Sequence, residues 1–109
     1  MILSKIVEKL NLEQILKLNL DEDITDGYTS DLMSDVLANA TDDSILITIQ
    51  AHKNSVAAAS MANVLAIFIA NNRPIPEEMI AAAKNEEIAI FRSKDSQFTL
   101  SWKLHEILV

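Results

Sequence analysis

The chain has 109 residues, of which 50% are hydrophobic and none is cysteine, and its formal net charge is −7. That length is expected to form one domain spanning residues 1–109, with a core that needs no staples. The missing cysteines exclude disulfides, thiolate zinc clusters and cysteine nucleophiles, and a pI near 4.6 argues against nucleic acid or an anionic membrane surface as partner, since both need a basic face.

The N-terminal run Met1-Ile2-Leu3-Ser4-Lys5-Ile6 has no basic stretch followed by an apolar core and cleavage site, so no signal peptide is expected. Residues 3–10 read as a short helix, with Leu3, Ile6, Val7 and Leu10 on one face and Lys5, Glu8 and Lys9 on the other. Residues 12–18 fit strand and helix alike, because both alternating sets contain apolar side chains. Residues 19–23 form an acidic loop. Residues 24–28 then read as a short strand ended by Gly27, the only glycine in the chain. Ser30 is the expected N-cap of a helix over 31–40, with Asp31 in its first turn. Leu32, Met33, Val36, Leu37 and Ala40 would form its buried face, and Asp31 and Asp35 would be ordinary exposed acids on one side.

From there the rhythm is regular. After a polar turn, residues 45–49 form a β-branched strand, and Asn54 or Ser55 caps a helix reaching about residue 63. Residues 65–70 form a fully apolar strand. Pro74-Ile75-Pro76-Glu77-Glu78 opens a helix with proline and acids where a first turn accepts them. Residues 88–91 form a third strand, and Asp95 or Ser96 caps a last helix striped with Leu100, Leu104, Ile107 and Leu108. Strands without polar alternation, separated by helices, imply an α/β fold: a mostly parallel sheet of about five strands with helices on both faces.

The longest apolar run, residues 56–70, is shorter than a membrane span and is interrupted by Ser60 and Asn63, so a cytoplasmic location is expected. A mean hydropathy of +0.18 is high for a small chain. With the uncharged helix around residues 55–63, and Phe98 and Trp102 lying off the leucine stripe, it points to a second buried surface and a homodimer.

Ligands of open parallel sheets bind at the carboxyl ends of the strands. Four of the nine basic residues, Lys53, Arg73, Arg92 and Lys94, fall at those ends, so a locally positive edge able to take a nucleotide or phosphate-like anion is expected there. Its candidate ligand-binding residues are Gly27, Tyr28, Ser30, Asp31, Gln50, His52, Lys53, Asn54, Asn71, Asn72 and Arg73. One glycine cannot supply a Walker loop or a dinucleotide fingerprint. The acids Asp21, Glu22, Asp23 and Asp26 read as a solvated loop without EF-hand spacing, and no metal or cofactor is expected. A triad of Ser30, His52 and Asp26 can be assembled on paper, but no nucleophile elbow accompanies it. His105 reads as a partly buried packing residue.

The run Gly27-Tyr28-Thr29-Ser30-Asp31-Leu32-Met33-Ser34-Asp35-Val36-Leu37-Ala38-Asn39-Ala40 resembles the small stand-alone DRTGG-domain proteins. So do Ile47-Thr48-Ile49-Gln50-Ala51-His52 and the Pro76-Glu77-Glu78 opening before Ile88-Ala89-Ile90. The resemblance implies an α/β domain similar to the N-terminal domain of HPr kinase/phosphorylase, and a regulatory or ligand-sensing module, not a catalyst. It also implies, as the alternative, a protein-interaction module partnering a kinase-like or hydrogenase-associated protein. The chain departs from the namesake motif: His52-Lys53 stands for Asp-Arg, and Ala70-Asn71-Asn72 for Thr-Gly-Gly. Asparagine tolerates the left-handed conformation that a glycine supplies, so the loop shape is expected to survive.

Overall fold

Apolar runs too uniform to have a wet face occupy the middle of the sheet, where both faces are covered. The computed structural model describes residues 1–109. Its elements are α1 (Leu3–Lys9), β1 (Glu13–Leu16), β2 (Asp26–Thr29), α2 (Met33–Asn39), β3 (Ser44–Thr48), α3 (Lys53–Met61), β4 (Ala66–Ile69), α4 (Glu77–Glu86), β5 (Ala89–Arg92) and α5 (Gln97–Leu108). They form one α/β domain whose five-stranded sheet has the order β1-β5-β4-β3-β2. No helix is long and apolar enough to cross a membrane.

The sheet is mixed. Strands β2 to β5 run parallel, and β1 joins β5 antiparallel. Residues 13–16, which local pattern left open, become a strand through a distant partner: Glu13 lies opposite Arg92, and cross-strand pairs of opposite charge stabilise a register.

Alternate residues of the buried strands serve two cores. Ile45, Ile47, Phe68 and Phe91 pack with Leu3, Ile6 and Val7 of α1 and with Leu100 and Leu104 of α5. Leu46, Ile67, Ile69 and Ile90 pack with Val36 of α2, Val56 and Ala59 of α3, and Met79 and Ala83 of α4. The uncharged body of α3 after Lys53 is therefore covered within the chain by α2 and α4, so its composition gives no reason to invoke a second subunit.

Three local expectations are corrected. Gly27 does not end β2 but lies inside it, with no positive φ. A Cβ there would lie 2.7 Å from Leu104 Cδ2, so the glycine makes room for α5. Helix α2 starts after Leu32, later than expected, and only Val36 is buried in it, while Leu32 and Leu37 are exposed. The reason is that Ser30 Oγ accepts from the Leu32 N–H, while Asp31 is engaged by Thr48, Ile49 and Gln97. Helix α3 is capped by His52, whose Nδ1 accepts from the Asn54 N–H at 3.0 Å, and not by Asn54 or Ser55. Ser96 caps α5 by accepting from the Thr99 N–H.

Every left-handed residue is non-glycine: Asn11, Asn19, Asp43, Asn63, Asn71, Asn72 and Glu87. Glutamate is the poorest fit among them, and Glu87 closes α4 with φ 56°. Glu87→Gly is expected to raise stability by about 1 kcal/mol by relieving this conformation. The bond from the Asn19 side-chain amide to the Glu87 carbonyl (2.8 Å) is untouched by the change. A urea midpoint that stays put or falls would contradict the assignment.

Candidate functional site

Because β2 to β5 are parallel, their carboxyl ends open on one edge of the sheet. They also stand in unbroken sequence order. No reversal of strand order parts the loops, so the crevice that a doubly wound sheet offers at its switch point is absent. The loops themselves have to shape any site.

Four segments meet on this edge: Ser30 and Asp31 after β2, Gln50 to Asn54 running from β3 into the first turn of α3, Asn71 to Arg73 after β4, and Ser93 to Asp95 after β5. Gly27 and Tyr28 sit lower, within β2, and point to opposite faces. Gly27 lies against α5, while the Tyr28 hydroxyl donates to Asp35 Oδ1 at 2.7 Å. That bond raises the phenol's pKa and, with support from Ser30 and Asn39, lowers that of Asp35.

Asp31 is the hub of the edge and not the exposed helical acid expected from sequence. Its Oδ1 accepts from the Thr48 hydroxyl (2.8 Å), the Ile49 N–H (3.0 Å) and the Gln97 amide (2.6 Å). Partial burial pushes the carboxyl up, but the bonds from Ile49, Thr48 and Gln97 and the nearby Arg73 charge outweigh it and hold the pKa below its ordinary value. One carboxylate thereby ties the end of β3 and the start of α5 to the β2–α2 loop. Thr48 was visible as the one polar side chain in a β-branched run, and it is fully buried. Nothing local marked Gln97.

The four basic residues differ in what they can offer. Arg92 is committed: its Nε and Nη2 donate to Glu13 at 2.9 and 2.8 Å, and its Nη1 donates to the Arg73 carbonyl at 3.2 Å. The first of these partnerships lowers the Glu13 pKa and raises that of Arg92. Lys53 stands 3.9 Å from Glu78 with both side chains exposed, a contact worth little. Arg73 and Lys94 have no carboxylate partner within 4.0 Å.

Asn71 and Asn72 are both left-handed, with φ 60° and 51°, so the asparagines do hold the shape that glycines would supply. Their N–H groups donate to the carbonyls of Asp95 and Ser93, each at 2.8 Å. These amides are spent on joining two loops and cannot cradle an anion, which leaves that work to side chains. Beside them lies a polar cleft of about 310 Å³, lined by Asn11, Asn72, Ser93, Lys94 and the two ion pairs Glu13–Arg92 and Asp95–Lys103. With both pairs neutral, Lys94 gives the cleft its net charge.

The paper triad does not assemble. Ser30 Oγ accepts from the Leu32 N–H, His52 Nδ1 accepts from Asn54, and Asp26 accepts from the Gly27 N–H and the Thr41 hydroxyl. No three His, Cys, Asp or Glu side chains are grouped to hold a metal. His105 is exposed, not partly buried.

Residues 46–108 match the family described as "HPr Serine kinase N terminus". Among solved structures, the chain is similar to the CBS and DRTGG domains of the regulatory region of Clostridium perfringens pyrophosphatase, a crystal structure in complex with the activator diadenosine tetraphosphate. The TM-score is 0.70 at 15% identity, over 94% of this chain and 45% of that one. The chain thus spans less than half of that protein's crystallised length, and the likeness is one of fold. No curated protein matches.

Proposed function

We propose, from the premise that this chain belongs to the HPr Serine kinase N terminus family, that it is a non-catalytic regulatory domain that senses an anionic small molecule. Residues 1–109 act as one unit, and the ligand sits at the carboxyl ends of the strands, held by side chains of the β4–α4 and β5–α5 loops. The observation that carries this reading is a pair of exposed cations with no carboxylate within 4.0 Å: Lys94, which lines the polar cleft beside Asn72, and Arg73, which follows Asn72 in the loop after β4. Lys53 and the His52-capped start of α3 add a secondary positive contribution, since the first turn of α3 holds no acid. Arg92 acts as a spacer for the loops.

The similar pyrophosphatase region is complexed with diadenosine tetraphosphate as activator, so polyphosphate nucleotides are the first compounds to try. Thermal unfolding in the presence of diadenosine tetraphosphate, ATP, AMP and inorganic phosphate is the test. A ligand at 100 times its Kd adds about 2.7 kcal/mol, which raises Tm by several degrees. The rise is expected for at least one nucleotide and is lost in Arg73→Ala/Lys94→Ala, whose exposed side chains leave the fold intact. If no compound moves the wild-type Tm, or the double variant responds as the wild type does, the reading fails.

The second reading, a protein-interaction module, is favoured by a different observation: the large apolar side chains of Phe98 and Trp102, four residues apart on α5, are both exposed.

A further inference from the structure

We propose that the free side of β2 is a docking strand for a basic, extended segment of a partner protein, which adds to the five-stranded sheet beyond β2. Strand β2 ends the sheet, with β3 as its only neighbour, and an edge strand offers unpaired N–H and C=O groups to another chain. Thr25, Asp26 and Thr29 are exposed there. The Gly27 N–H donates to the exposed carboxylate of Asp26 (Oδ1, 2.8 Å), which an arriving carbonyl can displace. The opposite edge is a poorer template, because β1 is bulged between Gln14 and Leu16.

A groove of about 380 Å³ follows the same side. Thr25, Gly27 and Thr29 line it, alternate residues that share one face of the strand, together with Ile47 and with Leu104 and Leu108 of α5. An added strand sends every second side chain to this face, and the groove takes apolar ones.

Charge identifies the occupant. Residues 18–52, which supply β2, α2 and β3, contain eight of the chain's 16 acids and neither lysine nor arginine. Only Asp23 among the eight enters an ion pair. Asp42 and Asp43 are exposed beside the start of β2, where the Asp43 carbonyl accepts from the Thr25 N–H at 3.1 Å. Two β2 strands from copies of this chain would set these carboxylates against one another, whereas the same field draws in a cationic segment. Once the partner's carbonyl holds the Gly27 N–H, the released Asp26 carboxylate pairs with a lysine or arginine. The partner is thus an extended segment in which basic and apolar residues alternate. This surface is separate from the carboxyl ends of the strands and leaves Arg73 and Lys94 free.

A fluorescein-labelled peptide of about seven residues, a common strand length, alternating lysine and valine and capped at both ends, is titrated with the chain by fluorescence anisotropy. Binding is expected with a micromolar Kd that weakens as salt screens the acids. Glutamate in place of lysine abolishes it. Full backbone N-methylation, which keeps every charge and removes the donors, abolishes it too. Asp26→Asn weakens the affinity by about threefold, the worth of one exposed ion pair, and Asp26→Lys by about tenfold. Amide exchange locates the contact: the Gly27 and Thr29 N–H groups gain protection in the complex. The inference is overturned if the lysine–valine peptide does not bind at about 1 mM, or if the glutamate or N-methylated peptide binds as well. It is equally overturned by unchanged affinity in both Asp26 variants, or by protection gained in the loops after β4 and β5 instead of β2.

Discussion

Asp31→Ala is expected to lower the free energy of unfolding by about 3 kcal/mol, since hydrogen bonds to a charged group are worth roughly 1.5–3 kcal/mol each and water recovers part of the loss. The deletion strands three donors together: the buried Thr48 hydroxyl, the Ile49 N–H and the Gln97 amide. In a domain of this size that corresponds to a fall in Tm of roughly 10–20 °C. Asp31→Asn keeps an acceptor and removes only the charge, so it falls between wild type and Asp31→Ala. The pH dependence has a definite sign. The folded pKa of Asp31 lies below its unfolded value, which is about 3.9. Its contribution is therefore complete above about pH 5 and is lost as pH falls through 4 towards the folded value. Asp35 and Glu13 are shifted the same way and contribute to the wild type's acid sensitivity, so the quantity to read is the gap between wild type and Asp31→Asn. Urea midpoints for the two proteins should converge on acidification. Parallel curves from pH 7 to pH 3 would rule out Asp31 as the hub.

Gly27→Val is expected to cost about 2–3 kcal/mol, despite valine's preference for strands. Backbone entropy favours the substitution, because Gly27 has no positive φ to protect and a glycine inside a strand costs roughly 0.5–1 kcal/mol. Packing opposes it and wins. The new Cβ lies 2.7 Å from Leu104 Cδ2, and Leu104 is buried in the α1–α5 core. Alanine is the milder case: the leucine tip can swing into the cavity of about 380 Å³ that it lines with Gly27, and the net cost falls to about 1 kcal/mol. The branched γ-carbons of valine block that escape. Adding Leu104→Ala to Gly27→Val should restore part of the loss in a double-mutant cycle. A Gly27→Val protein as stable as wild type would show that β2 and α5 are not held apart at this point.

What could be read from sequence followed from periodicity. The runs around Ile45, Ile67 and Ile90 identified buried strands, Pro76 and Glu77 identified the start of α4, and Ser96 identified the cap of α5. Asn71 and Asn72 in place of two glycines were also read correctly, because asparagine is the side chain that best tolerates the left-handed region. The failures were non-local. Residues 13–16 needed Arg92, 79 positions away from Glu13, to become a strand. Local pattern makes Asp31 a helix-start acid because its real partners, Thr48 and Gln97, are 17 and 66 positions away. A lone glycine usually signals conformation, which suggests a strand ending at Gly27, whereas here it signals contact with a helix that enters near the end of the chain. Arg92 contributes less to the positive edge than its position suggests for a related reason: Glu13, which neutralises it, arrives on a strand that local pattern leaves unassigned.

The unbroken order β2-β3-β4-β5 has a kinetic consequence. Each parallel strand docks beside the one just before it, so these four of the five strands assemble by adding neighbours, with a single helical crossover to close at each step. Only β1 breaks the sequence, since its partner β5 is the last strand to be made. The N-terminal α1–β1 arm therefore waits through synthesis of nearly the whole domain before it can seal the far side of the sheet. Arg92, held there by Glu13, also donates to the Arg73 carbonyl in the loop after β4, so that edge takes its final form only when the arm arrives.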